Sequence, residues 1–453
     1  MYSAALVDDV WYLVIAILNE HAPTPAQTPE KSHGRHPHFN DLLALSSASK
    51  GLRNILAPRL FRTLDLHNNN KSASSVLAVS QGSVARHVKE LRYTITCAPD
   101  ETFETLYPPA LDHMLSNLAH FPNLKKSSMI FPQDPTNALI WDEIWESAND
   151  AFVDDPDEAG DEEKVTPWRG VMASSYRALA SNHDTKTDQP HPSPTSRSNF
   201  RKLAFSLSNL PLVTISAFST PSFQSFLSQL NSFALSLPHL DNGAGWHINT
   251  QEIYAGFTEN LPFWFFDHLA SAESFSFDPR ETGILGAWHD RYRFDIGVFQ
   301  ASMPRLRRLE LGNVVVCEEL SEFCIRHKET LESVTLRACH AGVGPSMSWA
   351  DLFTAIVAAS PSRLKEFRVL YGPGDEGALE FREEWRGEPW VEQALAKMNR
   401  DPEARVYVYG SLDDKYGFRR VGWEMVYRRF LSGEDERAFA EVMTVIKRNQ
   451  GAE

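Results

Sequence analysis

A phrase of three apolar residues, spaced as in Leu-x-x-Leu-x-Leu, recurs along this 453-residue chain and limits its fold more than any other feature. It appears as Val88-Leu91-Tyr93, Phe200-Leu203-Phe205, Ala272-Phe275-Phe277, Leu306-Leu309-Leu311, Leu331-Val334-Leu336 and Leu364-Phe367-Val369, with a weaker Leu124-Ser127-Met129. The last two residues of each phrase are two apart, the period that sends both side chains to one face of a strand. The first ends the preceding turn. Two inward side chains cannot form a core alone, so each strand must lie beside the next, and this predicts stacked strands joined by helices. Helical patterns do lie between them. Leu320, Phe323 and Cys324 form one stripe, and Ser348 with Asp351 has capping-box spacing ahead of Leu352, Phe353, Ile356 and Val357. The intervals of 25 and 33 residues from Leu306 to Leu364 predict a ragged stack with insertions. An ordinary α/β domain with leucine-bearing strands is the alternative.

The densest local pattern is N-terminal. Leu6, Val10, Val14 and Ile17/Leu18 have helical spacing, with Asp8 and Asp9 near the helix start, where the dipole favours carboxylates. A second helix is expected from Asp41 to Leu56, capped by Asn40 or Asp41, with Leu42, Leu45, Ser49, Leu52 and Leu56 on one face. Pro58 then marks a boundary, and Phe61 to Leu66 alternates as a first strand.

On these residues the block Leu6 to Leu66 resembles an F-box domain of the fungal type. The matching pieces are Leu6 to Leu18, Asp41 to Lys50 and Pro58 to Leu64. Val7 stands where the family usually has proline, and the Pro- and His-rich insert Asn19 to His38 replaces a short loop. The resemblance implies docking to a Skp-type adaptor of a cullin-RING ubiquitin ligase. The expected adaptor-binding residues are Leu6, Val10, Val14, Ile15, Leu18, Leu42, Leu43, Leu45 and Leu52. The recurring phrase in turn resembles leucine-rich repeats of the irregular, F-box-associated kind, Cys339 occupying the Asn/Cys position after Leu331-Val334-Leu336. An unknown target protein would be held by these repeats.

The expected fold class is therefore α/β: an N-terminal helical F-box, then an irregular leucine-rich-repeat-like solenoid with a C-terminal cap. The expected units are 1–66 with the inserted loop 19–38, first repeat-like units over 67–140, an acidic and polar, partly disordered insertion over 141–198, repeats over 199–372, and a cap over 373–453. Within the insertion, Asp150 to Glu163 is acidic and Ser181 to Ser198 polar, too poor in apolar residues to order themselves, whereas Val165 to Leu179 suits a helix. Thr220-Pro221 marks a helix start, with Phe223, Phe226, Leu227 and Leu230 on one face. The aromatic run Leu261 to Phe266 suits the core, or a recognition surface. In the cap, helices are expected over Glu388 to Asn399 and Glu434 to Arg448, and a strand over Arg405 to Tyr409.

A formal net charge of −15 disfavours nucleic acid and anionic membranes as partners. The four cysteines, Cys97, Cys317, Cys324 and Cys339, fall singly in apolar segments, as free thiols of a reducing compartment do. Val10 to Leu18 lacks a basic leader and is too short to cross a bilayer. A cytoplasmic or nuclear location is expected. Phosphate-binding loops, the Gly-x-Ser-x-Gly elbow and His-Glu-x-x-His are absent, so no catalytic residue, cofactor or metal is expected. His33, His36 and His38 lie in the insert without neighbouring ligands. The leading expectation is a non-catalytic substrate receptor. The rivals are a leucine-rich interaction scaffold without a ligase role and, less favoured, an enzyme whose site is assembled from distant residues.

Overall fold

The computed structural model describes residues 39–98, 101–134, 137–146, 155–182, 202–286, 288–289, 292–293, 297–342, 347–371, 387–401, 404–413, 415, 417–420 and 423–451. It is a mixed α/β structure with fifteen α-helices among the described residues. Its strands are β1 (Thr63–His67), β2 (Glu90–Thr94), β3 (Lys126–Ile130), β4 (Ala204–Ser208), β5 (Ser232–Ser236), β6 (Ser274–Asp278), β7 (Trp288–His289), β8 (Tyr292–Arg293), β9 (Arg308–Gly312), β10 (Val315–Val316), β11 (Ser333–Arg337), β12 (His340–Gly342), β13 (Glu366–Leu370), β14 (Tyr409–Asp413) and β15 (Gly417–Arg420).

Nine of these form one sheet in the order β1-β2-β3-β4-β5-β6-β9-β11-β13, every pair parallel. The strand starts are 25 to 78 residues apart, too uneven for the regular coil of a repeat solenoid. Each recurring phrase whose residues are described places its apolar members in the core: Val88, Leu91 and Tyr93; Leu306, Leu309 and Leu311; Leu331, Val334 and Leu336 are all buried. The alternate positions are mostly half-buried or exposed, Ser128 and Gly312 being buried exceptions. In β4, β5 and β6 buried and half-buried residues alternate, so the core lies on one face of the sheet. A doubly wound sheet, covered on both faces, reads instead as continuous apolar runs and reverses its strand order at a crevice. Neither occurs among the described residues.

The core is aromatic at its centre. Phe265 lies within 4.9 to 6.0 Å, ring centre to ring centre, of Phe218, Phe223 and Phe233, and Phe353 lies 5.3 Å from Phe439 of the C-terminal helix. A second sheet, β10-β12-β14-β15, closes the C-terminal part, with only β14 and β15 antiparallel.

The structure departs from the sequence reading in four places. The single helix expected from Asp41 to Leu56 is two, Phe39–Ala48 and Lys50–Leu60, because Ser49 adopts an extended backbone and its hydroxyl accepts the Leu52 N–H at 3.1 Å, capping a new helix. That helix runs through Pro58, whose missing N–H forfeits one bond near the helix end. Part of the acidic stretch expected to be mobile is a helix, Pro156–Val165. Glu163 anchors it by accepting the Ser216 N–H at 2.7 Å and pairing with Arg177 at 2.8 Å. The following helix, Pro167–Ser181, lies in the core through Trp168, Val171, Met172 and Tyr176, as expected of this segment. In the cap, the strand is Tyr409–Asp413 rather than Arg405 to Tyr409, since pairing with Gly417–Arg420 fixes its extent. The helices Pro389–Arg400 and Glu434–Gln450 lie where expected.

Candidate docking site

The helices Phe39–Ala48 and Lys50–Leu60 pack on each other through Leu42, Leu56 and Leu60, with Leu45, Ile55 and Phe61 at the margin. This small cluster is separate from the main core. Polar bonds fix the pair: Ser46 donates its hydroxyl to the Leu43 carbonyl at 2.7 Å, and Arg53 Nε donates to the Ser46 carbonyl at 3.4 Å. Of the expected contact residues, Leu42 turns inward, Leu45 and Leu52 are half-buried, and Leu43 is 47% exposed. Leu6, Val10, Val14, Ile15 and Leu18 lie outside the described residues, as do the Asn19 to His38 insert and its histidines. The helix Lys50–Leu60 also rests against the short turn of helix Ser83–His87.

The open face of the nine-stranded sheet is a second candidate surface. Its middle row, read by register, is Asp65, Arg92, Ser128, Ser206, Ala234, Ser276, Glu310, Thr335 and Arg368. Small residues occupy the centre and charges the two ends. Those charges are largely paired: Glu90 with Arg92 at 3.1 Å and Lys126 at 3.3 Å, Glu310 with Arg337 at 3.1 Å, and Glu366 with Arg368. Burial pushes the Glu90 carboxyl up, but Arg92 and Lys126 outweigh it and hold it below the usual value.

The aromatic run Leu261 to Phe266 divides between core and surface. Leu261, Trp264, Phe265 and Phe266 are buried, and Phe263 alone is exposed, at 54%. One strand of the nine-stranded sheet went unread in the sequence: Leu230-Phe233-Leu235 carries the recurring spacing, and its last two residues lie in β5.

Burial shifts the interior thiols and His327 toward their neutral forms. Burial pushes Cys97 up to about 11 and Cys324 and Cys339 up to about 12, which makes them poor nucleophiles at neutral pH. All four cysteines are free thiols. His327, buried against the Phe323 ring, is pushed below its usual value by burial. Among the described residues no cluster of three or more His, Cys, Asp or Glu is placed to hold a metal, and no helix is long and apolar enough to cross a membrane. An apolar cleft between the helices Glu318–Arg326 and Trp349–Ala359, lined by Cys324, Ile325, Leu331, Ile356 and Leu364, has an internal volume of ≈ 10 Å³, about one water molecule.

Comparison with protein-family models and with curated proteins returns no match to this chain.

Proposed function

We propose that the chain is a substrate-recognition subunit of a Skp-cullin-F-box ubiquitin ligase, without a catalytic site of its own. In this reading the N-terminal helices seat on a Skp-type adaptor, and the sheet with its loops, read as irregular leucine-rich-repeat-like units, holds a target protein near the ubiquitin-charged enzyme. Catalysis is then proximity supplied in trans. The observation that carries the reading is the helical pair itself. It falls on the segment that resembles the F-box, has its own small core apart from the main one, and leaves Leu43 exposed with Leu45 and Leu52 half-covered. Apolar side chains left at a surface in this way are the raw material of an interface, at roughly 25 cal/mol per Å² buried before association entropy is subtracted.

The strands of the large sheet enter in chain order, which supports successive strand-and-helix units offering one continuous open face. A floor of Ser and Ala at its centre admits close approach of a partner's backbone. A second reading, a leucine-rich interaction scaffold with no ligase role, is favoured by the contact between Lys50–Leu60 and Ser83–His87, which covers part of the helical pair from within the chain. Co-purification with a Skp-type adaptor separates them. The receptor reading expects the intact chain to capture the adaptor and a Leu43→Asp/Leu52→Asp variant to lose it. Equal capture by both, or by neither, favours the scaffold.

A further inference from the structure

The residues that lead into the nine strands form one row along the strands' N-terminal ends, Arg62, Lys89, Lys125, Leu203, Asn231, Glu273, Arg307, Glu332 and Lys365, joined rung to rung by backbone hydrogen bonds, with the Ala204 N–H in place of that of Leu203 donating to the Lys125 carbonyl. The two halves of this row differ. From Glu273 to Lys365 the sign alternates, so every charge has an opposite neighbour, and Arg307 and Glu332 lie 3.8 Å apart. From Arg62 to Lys125 all three are cations on adjacent strands, roughly 4.8 Å per rung. Lys202, two residues before β4, adds a fourth. All four are exposed, and among the described residues none has an ion-pair partner.

Like charges side by side in a sheet repel, so packing gives no reason to gather them. The far half of the same row shows how this architecture neutralises itself. The protein as a whole carries −15, so a basic strip here is not a consequence of composition. Glu90, which follows Lys89 in the chain, is already taken by Arg92 and Lys126. The strip begins at Arg62, two residues beyond the helix that ends at Leu60, and is therefore continuous with the helical pair.

We propose that Arg62, Lys89, Lys125 and Lys202 form a docking strip for an acidic protein segment. Carboxylates on alternate residues of an extended chain recur at about 6.7 Å, close enough to the rung spacing for several to engage at once. A protein is favoured over nucleic acid because the chain as a whole carries −15 and repels a long polyphosphate, whereas a short acidic segment meets only the strip. This inference stands on the strands' N-terminal ends alone and does not require the receptor reading.

The test uses the full chain and a fluorescently labelled ten-residue polyglutamate peptide, followed by anisotropy between about 0.05 M and 0.2 M salt. The expected result is saturable binding that weakens with salt. Arg62→Glu/Lys89→Glu/Lys125→Glu should weaken it on the order of tenfold or more. The control Arg307→Glu/Lys365→Glu/Arg368→Glu, with the same change in net charge on the far half, should change it less than about twofold. If the triple reversal fails to fold by near-ultraviolet circular dichroism, Arg62→Gln/Lys89→Gln/Lys125→Gln takes its place. Three outcomes overturn the proposal: no binding by the intact chain, equal loss in the two variants, or tighter binding of a single-stranded oligonucleotide of equal charge. Each is read whether or not the chain captures an adaptor.

Discussion

Asp435 ties the C-terminal helix to the rest of the molecule, and its removal should loosen that end selectively. The side chain is buried in the first turn of Glu434–Gln450, where it accepts the Tyr409 hydroxyl at 2.9 and 2.8 Å and the Ala350 N–H at 3.0 Å. Tyr409 belongs to β14 and Ala350 to the first turn of Trp349–Ala359, so one carboxyl joins three elements. Asp435→Ala leaves two buried donors without an acceptor, each costing about 1–3 kcal/mol, and the expected loss is about 2–6 kcal/mol. Asp435→Asn keeps one carbonyl oxygen in place and should lose less than half as much. Burial pushes the Asp435 carboxyl above 3.8, against the hydrogen bonds of Tyr409 and Ala350. Since the folded value exceeds the unfolded one, the proton-linked part of this carboxyl's stabilisation is complete below pH 3.8 and is lost as pH rises through the folded value. The asparagine variant has no such titration, so the gap between the two proteins narrows across that window. Urea denaturation followed by tryptophan fluorescence and circular dichroism measures both effects. An alanine variant within about 0.5 kcal/mol of the parent, or an asparagine variant as unstable as alanine, refutes the reasoning.

Phe265→Ala should cost about 3–5 kcal/mol, because the ring sits among Phe218, Phe223 and Phe233, whereas Phe263→Ala, two residues away and exposed, should change the thermal midpoint little. In the helical pair Leu56→Ala should cost about 2–5 kcal/mol of local stability and Leu43→Asp almost none, a contrast that hydrogen exchange over residues 39–60 resolves. His327 is held below 6.5 by burial, so its contribution is present above pH 6.5 and lost as pH falls through the folded value. Denaturation midpoints of the parent should drop over that range more steeply than those of His327→Gln. Cys324 and Cys339 should resist a thiol reagent at pH 8 in the native protein and react once it is unfolded, measured as thiols released per chain.

The parallel sheet was legible because its signal is local: two apolar residues at strand period after an apolar turn residue recur wherever a strand forms. Even so, β5 escaped, and the reason is physical. Leu230 continues the stripe of Phe223, Phe226 and Leu227, but the helix stops at Leu227, and Leu230 is buried as the turn residue before the strand. Helical and strand periods share a residue there, and periodicity alone cannot assign it. The break at Ser49 is similar. Leu42, Leu45, Leu52 and Leu56 keep one face across it, so the apolar pattern shows no interruption where a side-chain cap creates one. The acidic helix Pro156–Val165 was hidden differently, since its order depends on Glu163 reaching Ser216, more than fifty residues away. The strands β10 and β12, of two and three residues, carry too short a pattern to read. As for the candidate site, Leu42, Leu43, Leu45 and Leu52 were named from the F-box resemblance, which did not show that Leu42 seals the pair while Leu43 faces outward. The basic strip was invisible because Arg62, Lys89, Lys125 and Lys202 become neighbours only when the sheet aligns them.

The central claim, that the helical pair at the head of the sheet is an adaptor-docking element, is tested most directly by mixing the purified full chain with a Skp-type adaptor and resolving the mixture by size-exclusion chromatography with light scattering. The account predicts a one-to-one complex that Leu43→Asp/Leu52→Asp abolishes while leaving the circular dichroism spectrum unchanged. Separate elution of the intact chain and the adaptor, or a complex that survives the double substitution, contradicts it.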